Sequence, residues 1–318
     1  MSRHGPRGGA RRRRRRHRHH HAGAGLPGGG GGAAREARAP VPVNDSQGAE
    51  RPSTESDHAL AVRVATETGE LLVRLRQDLL ERGTSSWELE SAGDSLAHEL
   101  IVERLGEARP GDAVLSEEGA DDRSRLGAER VWIVDPLDGT NEYGSPPRSD
   151  WAVHVALVEA GRPVAGAVAL PAVGVTLGTE PAPELPAAED GRPRVVASRW
   201  HPSAAAQVVA GGLNAHLLGL GSAGAKAMAV VMGQADVYAH SGGQYEWDNC
   251  APVAVAAAAG LHCSRIDGSE LVYNNPNVYL PDFLICRAEL AERCLELLAE
   301  ALRRGHSYQR RSWYDDDW

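Results

Sequence analysis

Aromatic residues are scarce in this 318-residue chain: they make up 5% of it, with a single phenylalanine. Ala and Gly dominate instead, so a core built here must rely on small side chains and close packing. No run of 18 apolar residues occurs, so no transmembrane helix is expected. The four cysteines, Cys250, Cys263, Cys286 and Cys294, form no C-x-x-C pair and no zinc spacing. They read as buried, reduced thiols of a cytoplasmic protein. No internal repeat is found. The length suffices for one large or two ordinary domains with an ample core.

The net charge of −9 hides an asymmetry: residues 1–38 carry eleven Arg and one Glu, which leaves the remainder near −19. An acidic body argues against general nucleic-acid binding and suits a site that collects cations. Residues 1–56 are of low complexity, with Arg11 to Arg16, a His cluster from His17 to His21 and Gly28 to Gly32. They lack the apolar periodicity of a core and read as a disordered tail. An Arg run that binds polyanions and a His cluster that binds metal stay open as readings. A twin-Arg export signal lacks its apolar segment.

Order begins at Ser56-Asp57, a helix N-cap. Leu60, Val64, Leu71, Leu72, Leu75 and Leu79 follow at helical spacing, and Gly83 can end the helix. A second helix is expected from Asp94 to about Glu107, with Leu96, Leu100, Ile101 and Leu105 inward. Strands are expected at 113–115, 131–134, 151–158 and 164–170. Residues 178–193, rich in Pro, Ala and Glu, read as a linker. Beyond it come strand 194–197, helix 203–212, strand 215–220, helix 223–232, strand 235–239, helix 248–259, strand 261–265, strand 282–287 and helix 288–303. The expected division is a tail at 1–56, an N-terminal part at 57–180, a linker at 181–191, a C-terminal part at 192–303 and a polar tail at 304–318.

The stretch from Val131 to Tyr143, V-W-I-V-D-P-L-D-G-T-N-E-Y, organises the rest. An apolar strand delivers Asp135 and Asp138 to its carboxyl end, and Pro136 is expected to stop it. Gly139 permits close backbone approach, and the Gly139 and Thr140 amides can hold an anion. Alone, this is an acidic turn. Three further segments offer carboxylates at element ends: Asp94, Glu117 beside Glu118, and Asp248 after Glu246-Trp247. Each alone reads as a helix cap or a solvated loop acid. His154, inside W-A-V-H-V-A-L-V, reads as a core histidine.

Together, S-E-E, W-I-V-D-P-L-D-G-T and the later E-W-D-x-x-A-P resemble the inositol monophosphatase superfamily over residues 57–303. Gly221 to Lys226, Glu142-Tyr143 and Ala197 to His201 make the chain most similar to the bacterial 3′(2′),5′-bisphosphate nucleotidases of sulfate assimilation. The resemblance implies a layered α/β sugar-phosphatase fold of alternating helix and sheet layers. It also implies metal ligation by Glu117, Asp135, the Leu137 carbonyl, Asp138 and Asp248, holding two Mg²⁺ ions. Asp94 would serve a third, although its segment Glu90 to Asp94 lacks the family's Thr and Ala. Thr140, with Glu117 beside it, would orient the attacking water, and a water near Asp248 would protonate the leaving alkoxide. Lithium sensitivity is implied as well.

For the substrate, the resemblance implies contacts from Gly139, Thr140, Ser222, Gly224, Lys226, Arg199 and His201. Lys226 can equally snorkel from a helix, and Tyr245 and Trp247 can stack on a base or simply pack. Asn141 departs from the family pattern, in which nucleotidases carry Lys or Arg. The implied reaction is removal of the 3′-phosphate of 3′-phosphoadenosine 5′-phosphate. Inositol monophosphate or fructose 1,6-bisphosphate hydrolysis is the alternative, and a non-catalytic phosphometabolite-binding protein is a further one. The expected partner is a small phosphorylated molecule, with no membrane, no nucleic acid for the folded part, and a possible homodimer.

Overall fold

The computed structural model describes residues 55–305. The Arg/His-rich tail up to residue 54 and the polar tail from residue 306 lie outside the described residues. Helix α1 runs Asp57–Glu81, with the Ser56 side chain accepting from the Ala59 amide as its N-cap. Gly83, at φ 70°, follows its C-terminal end as expected.

Helix α2 spans Ser86–Ala108, so it starts two turns before Asp94. The physical reason is a capping box. The Ser85 side chain accepts the Glu88 amide, and the Glu88 carboxylate accepts the Ser85 amide. Asp94 is therefore a mid-helix residue. The inward face also differs from the expected one: it is Leu89, Gly93, Ala97, Ile101 and Leu105, while Leu96 is exposed.

The first sheet has the order β1-β2-β3-β4-β5, from β1 (Ala113–Ser116), β2 (Arg130–Asp138), β3 (Ala152–Glu159), β4 (Arg162–Leu170) and β5 (Val175–Gly178). A one-turn helix, α3 (Thr140–Tyr143), follows β2. The second sheet has the order β7-β6-β8-β10-β9. It is built from β6 (Arg194–Ser198), β7 (His216–Leu220), β8 (Val237–Tyr245), β9 (His262–Ser264) and β10 (Tyr279–Cys286). The remaining helices are α4 (Ala204–Gly212), α5 (Ala223–Val231), α6 (Glu246–Ala258) and α7 (Ala291–Arg303).

Strand β5 falls inside and just ahead of the stretch read as a linker. Strand β8 runs six residues past its expected end, paired with β10 as far as Tyr245. Beyond β5 the chain is irregular but tied down: Leu185 packs on the core, and the Pro186 carbonyl accepts from Arg287.

The layers alternate. Helices α1 and α2 cover one face of the first sheet, α5 and α6 lie between the sheets, and α4 and α7 cover the far face of the second. The middle layer explains the small-residue composition. All nine residues of α5, A-G-A-K-A-M-A-V-V, are buried, and only small side chains let two sheets close on one helix. No helix of the described residues is long and apolar enough to cross a membrane.

Pro136 does not stop β2; it bulges it. Asp135 pairs with His154, but Asp138 pairs with Ala152, so β2 carries one extra residue there. Strand side chains alternate between faces, and residues three apart would normally point to opposite sides. The bulge resets that count. Val131 and Ile133 face the middle layer, Trp132, Val134 and Leu137 face α1 and α2, and Asp135 and Asp138 both turn to the middle-layer side.

Candidate metal and phosphate site

The bulge brings Asp135 and Asp138 to the N-terminal ends of both middle-layer helices. Asp135, Asp138 and Asp248 each offer a carboxylate oxygen, and these oxygens lie within 4.8 Å of one another. Asp248 sits in the first turn of α6, where its Oδ2 also accepts the Tyr245 amide at 2.6 Å. Glu117 follows β1, with its amide bonded to the Val134 carbonyl at 3.4 Å. Its side chain is hydrogen-bonded to Asp135. Glu118 beside it is exposed. The Leu137 carbonyl accepts the Thr140 hydroxyl at 3.1 Å.

Asp94 arrives by a close approach of helices. A Cβ at Gly93 would stand 2.8 Å from Tyr143 and 2.9 Å from Leu137, so only glycine lets α2 reach α3. Asp94 Oδ1 then lies 3.4 Å from Thr140 Oγ1. The threonine hydroxyl is therefore flanked by Asp94 and the Leu137 carbonyl. Gly139, at φ 89°, turns the chain into α3.

Electrostatics divides the acids. Burial, then Asp138 and Glu117, raise the Asp135 carboxyl well above its ordinary value. Glu117 is exposed as a residue, yet its carboxyl is crowded by protein; that crowding, then Asp248, push it up to about 7. Asp94 also reaches about 7, through burial and then Glu118. Asp248 reaches about 6, through burial and then Asp138. Each acid is raised first by burial and then by the like charge of its neighbours.

Asp138 is the exception. Burial alone would raise it, but His154, Lys226 and the Gly224 amide hold it below its ordinary value. Its carboxylate accepts the Ala223 amide at 3.2 Å and the Gly224 amide at 2.6 Å. His154 Nε2 lies 3.2 Å away, and His154 Nδ1 contacts the Trp247 carbonyl at 3.0 Å. One imidazole thus ties the end of β2 to the start of α6. His154 was read as a core histidine, and its position opposite Asp135 in the hairpin register is the signal that points to the site.

The residues implied for substrate sort differently. A Cβ at Gly224 would stand 2.1 Å from His154 Nε2. Glycine is needed there to seat α5 on β3, and its amide is taken by Asp138 rather than left for a phosphate. Ser222 is the α5 N-cap and accepts the Ala225 amide. Lys226 is 5% exposed, and its ammonium donates to the Gly221 and Ser222 carbonyls. Burial lowers its pKa, and the ammonium lies 5.5 Å from the Tyr238 ring centroid. Lys226 is thus turned inward, onto the Gly221 and Ser222 carbonyls at the start of its own helix. Arg199 and His201 are exposed, and Arg199 is paired with Asp150 at 3.3 Å. Asn141 is exposed. Tyr245 stacks on Trp247 at 4.9 Å between ring centroids, and Trp247 packs on the core.

An all-oxygen acidic cluster at the carboxyl end of a sheet, roofed by two helix N-termini, is a cation-binding type of site. The chain belongs to the inositol monophosphatase family, whose model matches residues 54–305. It is 46% identical over 245 residues to the 3′-phosphoadenosine 5′-phosphate phosphatase of Mycobacterium tuberculosis (strain CDC 1551 / Oshkosh), covering 74% of this chain and 91% of that protein. It is 31% identical to the 3′(2′),5′-bisphosphate nucleotidase CysQ of Escherichia coli (strain K12), covering 61% of this chain and 84% of the relative. The crystal structure of CysQ from Bacteroides thetaiotaomicron superposes with a TM-score of 0.63 at 28% identity, covering 74% of this chain and 98% of that one.

Proposed function

We propose that this chain is a Mg²⁺-dependent phosphatase that removes the 3′-phosphate of 3′-phosphoadenosine 5′-phosphate, giving AMP and phosphate. The observation that carries the reading is the 46% identity to a relative named for that substrate. The donor set fits the metal: every group is oxygen, and the acids, raised by burial and by one another, crowd into one place. Mg²⁺ prefers such hard oxygen ligands. In this reading Glu117, Asp135, the Leu137 carbonyl, Asp138 and Asp248 hold two ions, and Asp94 serves a third. When bound, the metal neutralises phosphate charge and lowers the pKa of a bound water.

The chain's own groups do the rest. Thr140 has one hydroxyl proton to give, to Asp94 or to the Leu137 carbonyl, and its lone pairs then orient a water. Asp94, 3.4 Å from the Thr140 hydroxyl, is placed to accept that water's proton. Asp138 stays ionised because two amides and His154 hold it so. The Gly139 and Thr140 amides face the transferred phosphoryl group. Residues 57–180 supply Asp94, Glu117, Asp135 and Asp138; residues 192–303 supply Asp248, Arg199 and the turn before α5. The free thiols of Cys250, Cys263, Cys286 and Cys294 suit the cytoplasm.

The test is a phosphate-release panel with Mg²⁺ over 3′-phosphoadenosine 5′-phosphate, inositol monophosphate and fructose 1,6-bisphosphate. The bisphosphate nucleotide should be turned over best. Inositol monophosphate turnover far above it would overturn the substrate, and Mg²⁺ binding without release from any of the three would overturn the activity.

A further inference from the structure

Asp150 lies in the loop before β3 and belongs to none of the motifs that carry the family resemblance. Its side chain is 11% exposed and gathers three partners. Its carboxylate accepts Arg148 Nε at 3.0 Å and Nη2 at 2.6 Å, the Gly221 amide at 2.6 Å and Arg199 Nη2 at 3.3 Å. Its backbone carbonyl accepts the Ser222 amide at 3.2 Å. The next two amides along the chain, of Ala223 and Gly224, go to Asp138. Four consecutive N–H groups from the turn between β7 and α5 are thus held by two aspartates of the first sheet's side.

Arg199 stands at the other edge of this latch. Its side chain is 46% exposed, and only one Nη2 contact is made, to Asp150. The other donors of its guanidinium have no partner among the described residues. Its backbone is fixed too, because the Arg199 amide bonds to the Leu220 carbonyl at 3.0 Å, one residue before the same turn. Arg148 takes most of the Asp150 charge through two short bonds and also reaches Glu142 at 3.1 Å. Arg199 is thereby oriented by a carboxylate that another arginine already neutralises. A guanidinium held at one corner, with its fork open to solvent, suits bidentate capture of a phosphate.

We propose that Asp150 is a positioning residue: it fixes Arg199 beside the Gly221–Ser222 turn so that Arg199 binds the phosphate of the substrate that is not hydrolysed. This rests on the bisphosphate nucleotide reading above. Asp150 acts through Arg199 and touches neither the reacting phosphate nor the carboxylate cluster. Discrimination between a nucleoside bisphosphate and a nucleoside 3′-monophosphate is therefore set by this pair.

The experiment measures kcat and KM for 3′-phosphoadenosine 5′-phosphate and for adenosine 3′-monophosphate in the wild type, Asp150→Asn, Arg199→Ala and the double variant. Each single variant should raise KM for the bisphosphate about tenfold, a change of about 1.4 kcal/mol, with kcat within about twofold and KM for the monophosphate unchanged. The double variant should be no worse than Arg199→Ala alone, because one residue acts through the other. Effects that multiply in the double variant, or that fall equally on both substrates, overturn the proposal. Arg199 is exposed, so Arg199→Ala keeps the test alive if Asp150→Asn does not fold: an unchanged KM ratio in Arg199→Ala alone sinks it. If the wild type releases no phosphate from the bisphosphate, the functional reading fails and this proposal falls with it; if it does and the ratios do not move, only this proposal fails.

Discussion

The two helices of the middle layer end at the same point and do opposite things there. The first turn of α5 gives its amides away: Ala223 and Gly224 donate to Asp138, which comes from another element. The first turn of α6 supplies a carboxylate of its own, and Asp248 satisfies the Tyr245 amide of the same turn. Both ends carry the partial positive charge of a helix N-terminus. The outcomes diverge because the acids differ in company. Asp138 is bonded directly by His154 and two amides and stays ionised; Asp248, buried and facing Asp138, is pushed up to about 6. One end holds its carboxylate ionised through contacts of its own, and the other compensates its carboxylate less.

Removing the less compensated side should have the largest effect. Asp248→Asn, or Asp135→Asn, should cut kcat by at least about a thousandfold while the far-UV circular dichroism and Tm stay near wild type, since neither change removes packed volume. A near-normal rate in either variant would refute the metal assignment. Breaking the compensated side should act on affinity instead. His154→Gln removes the imidazole that orients Asp138 and tethers it to Trp247, and should weaken Mg²⁺ or Mn²⁺ binding about 10–100-fold by calorimetry. Unchanged metal affinity would make His154 a packing residue after all.

Acidity separates the two sides further. In the metal-free protein Asp94 and Glu117 are held up to about 7 and Asp248 to about 6, above ordinary values of 3.8 and 4.5. The folded state therefore binds more protons than the unfolded chain between about pH 4 and 7, and stability must fall as pH rises through that window. In EDTA, Tm should be higher at pH 5.5 than at pH 8. Saturating Mg²⁺ should raise Tm more at pH 8 than at pH 5.5, because the ion takes the place of the protons. A metal-free Tm that rises with pH would contradict the assignment. The smallest effect concerns Lys226. With its ammonium on the Gly221 and Ser222 carbonyls, Lys226→Met should change KM for the bisphosphate and for a simple monoester by the same factor, within about twofold. A selective loss on the bisphosphate would return Lys226 to the substrate.

Apart from Asp94, the carboxylates were legible because each sits at an element end, where a strand, turn or helix signal surrounds it. The D-P-L-D-G-T stretch, Glu117 after β1 and Asp248 before α6 all announce themselves in this way. What stayed hidden depends on register and approach. His154 meets Asp138 only because one extra residue in β2 slides Asp138 opposite Ala152. Asp94 meets Thr140 only because α2 begins at Ser86, and the Ser85–Glu88 capping box that sets this start was present in the sequence but unread. Lys226 carries no mark that distinguishes an inward ammonium from an outward one. Its ammonium folds back onto the carbonyls four and five residues earlier.

The bulge between Asp135 and Asp138 also makes the site a matter of counting. Without that bulge, a strand of the same sequence would change no ligand, remove no charge and lose no apolar residue, yet regular alternation would turn Asp135 and Asp138 to opposite sides. The reading frame of the strand, more than the identity of any one acid, is what this stretch transmits.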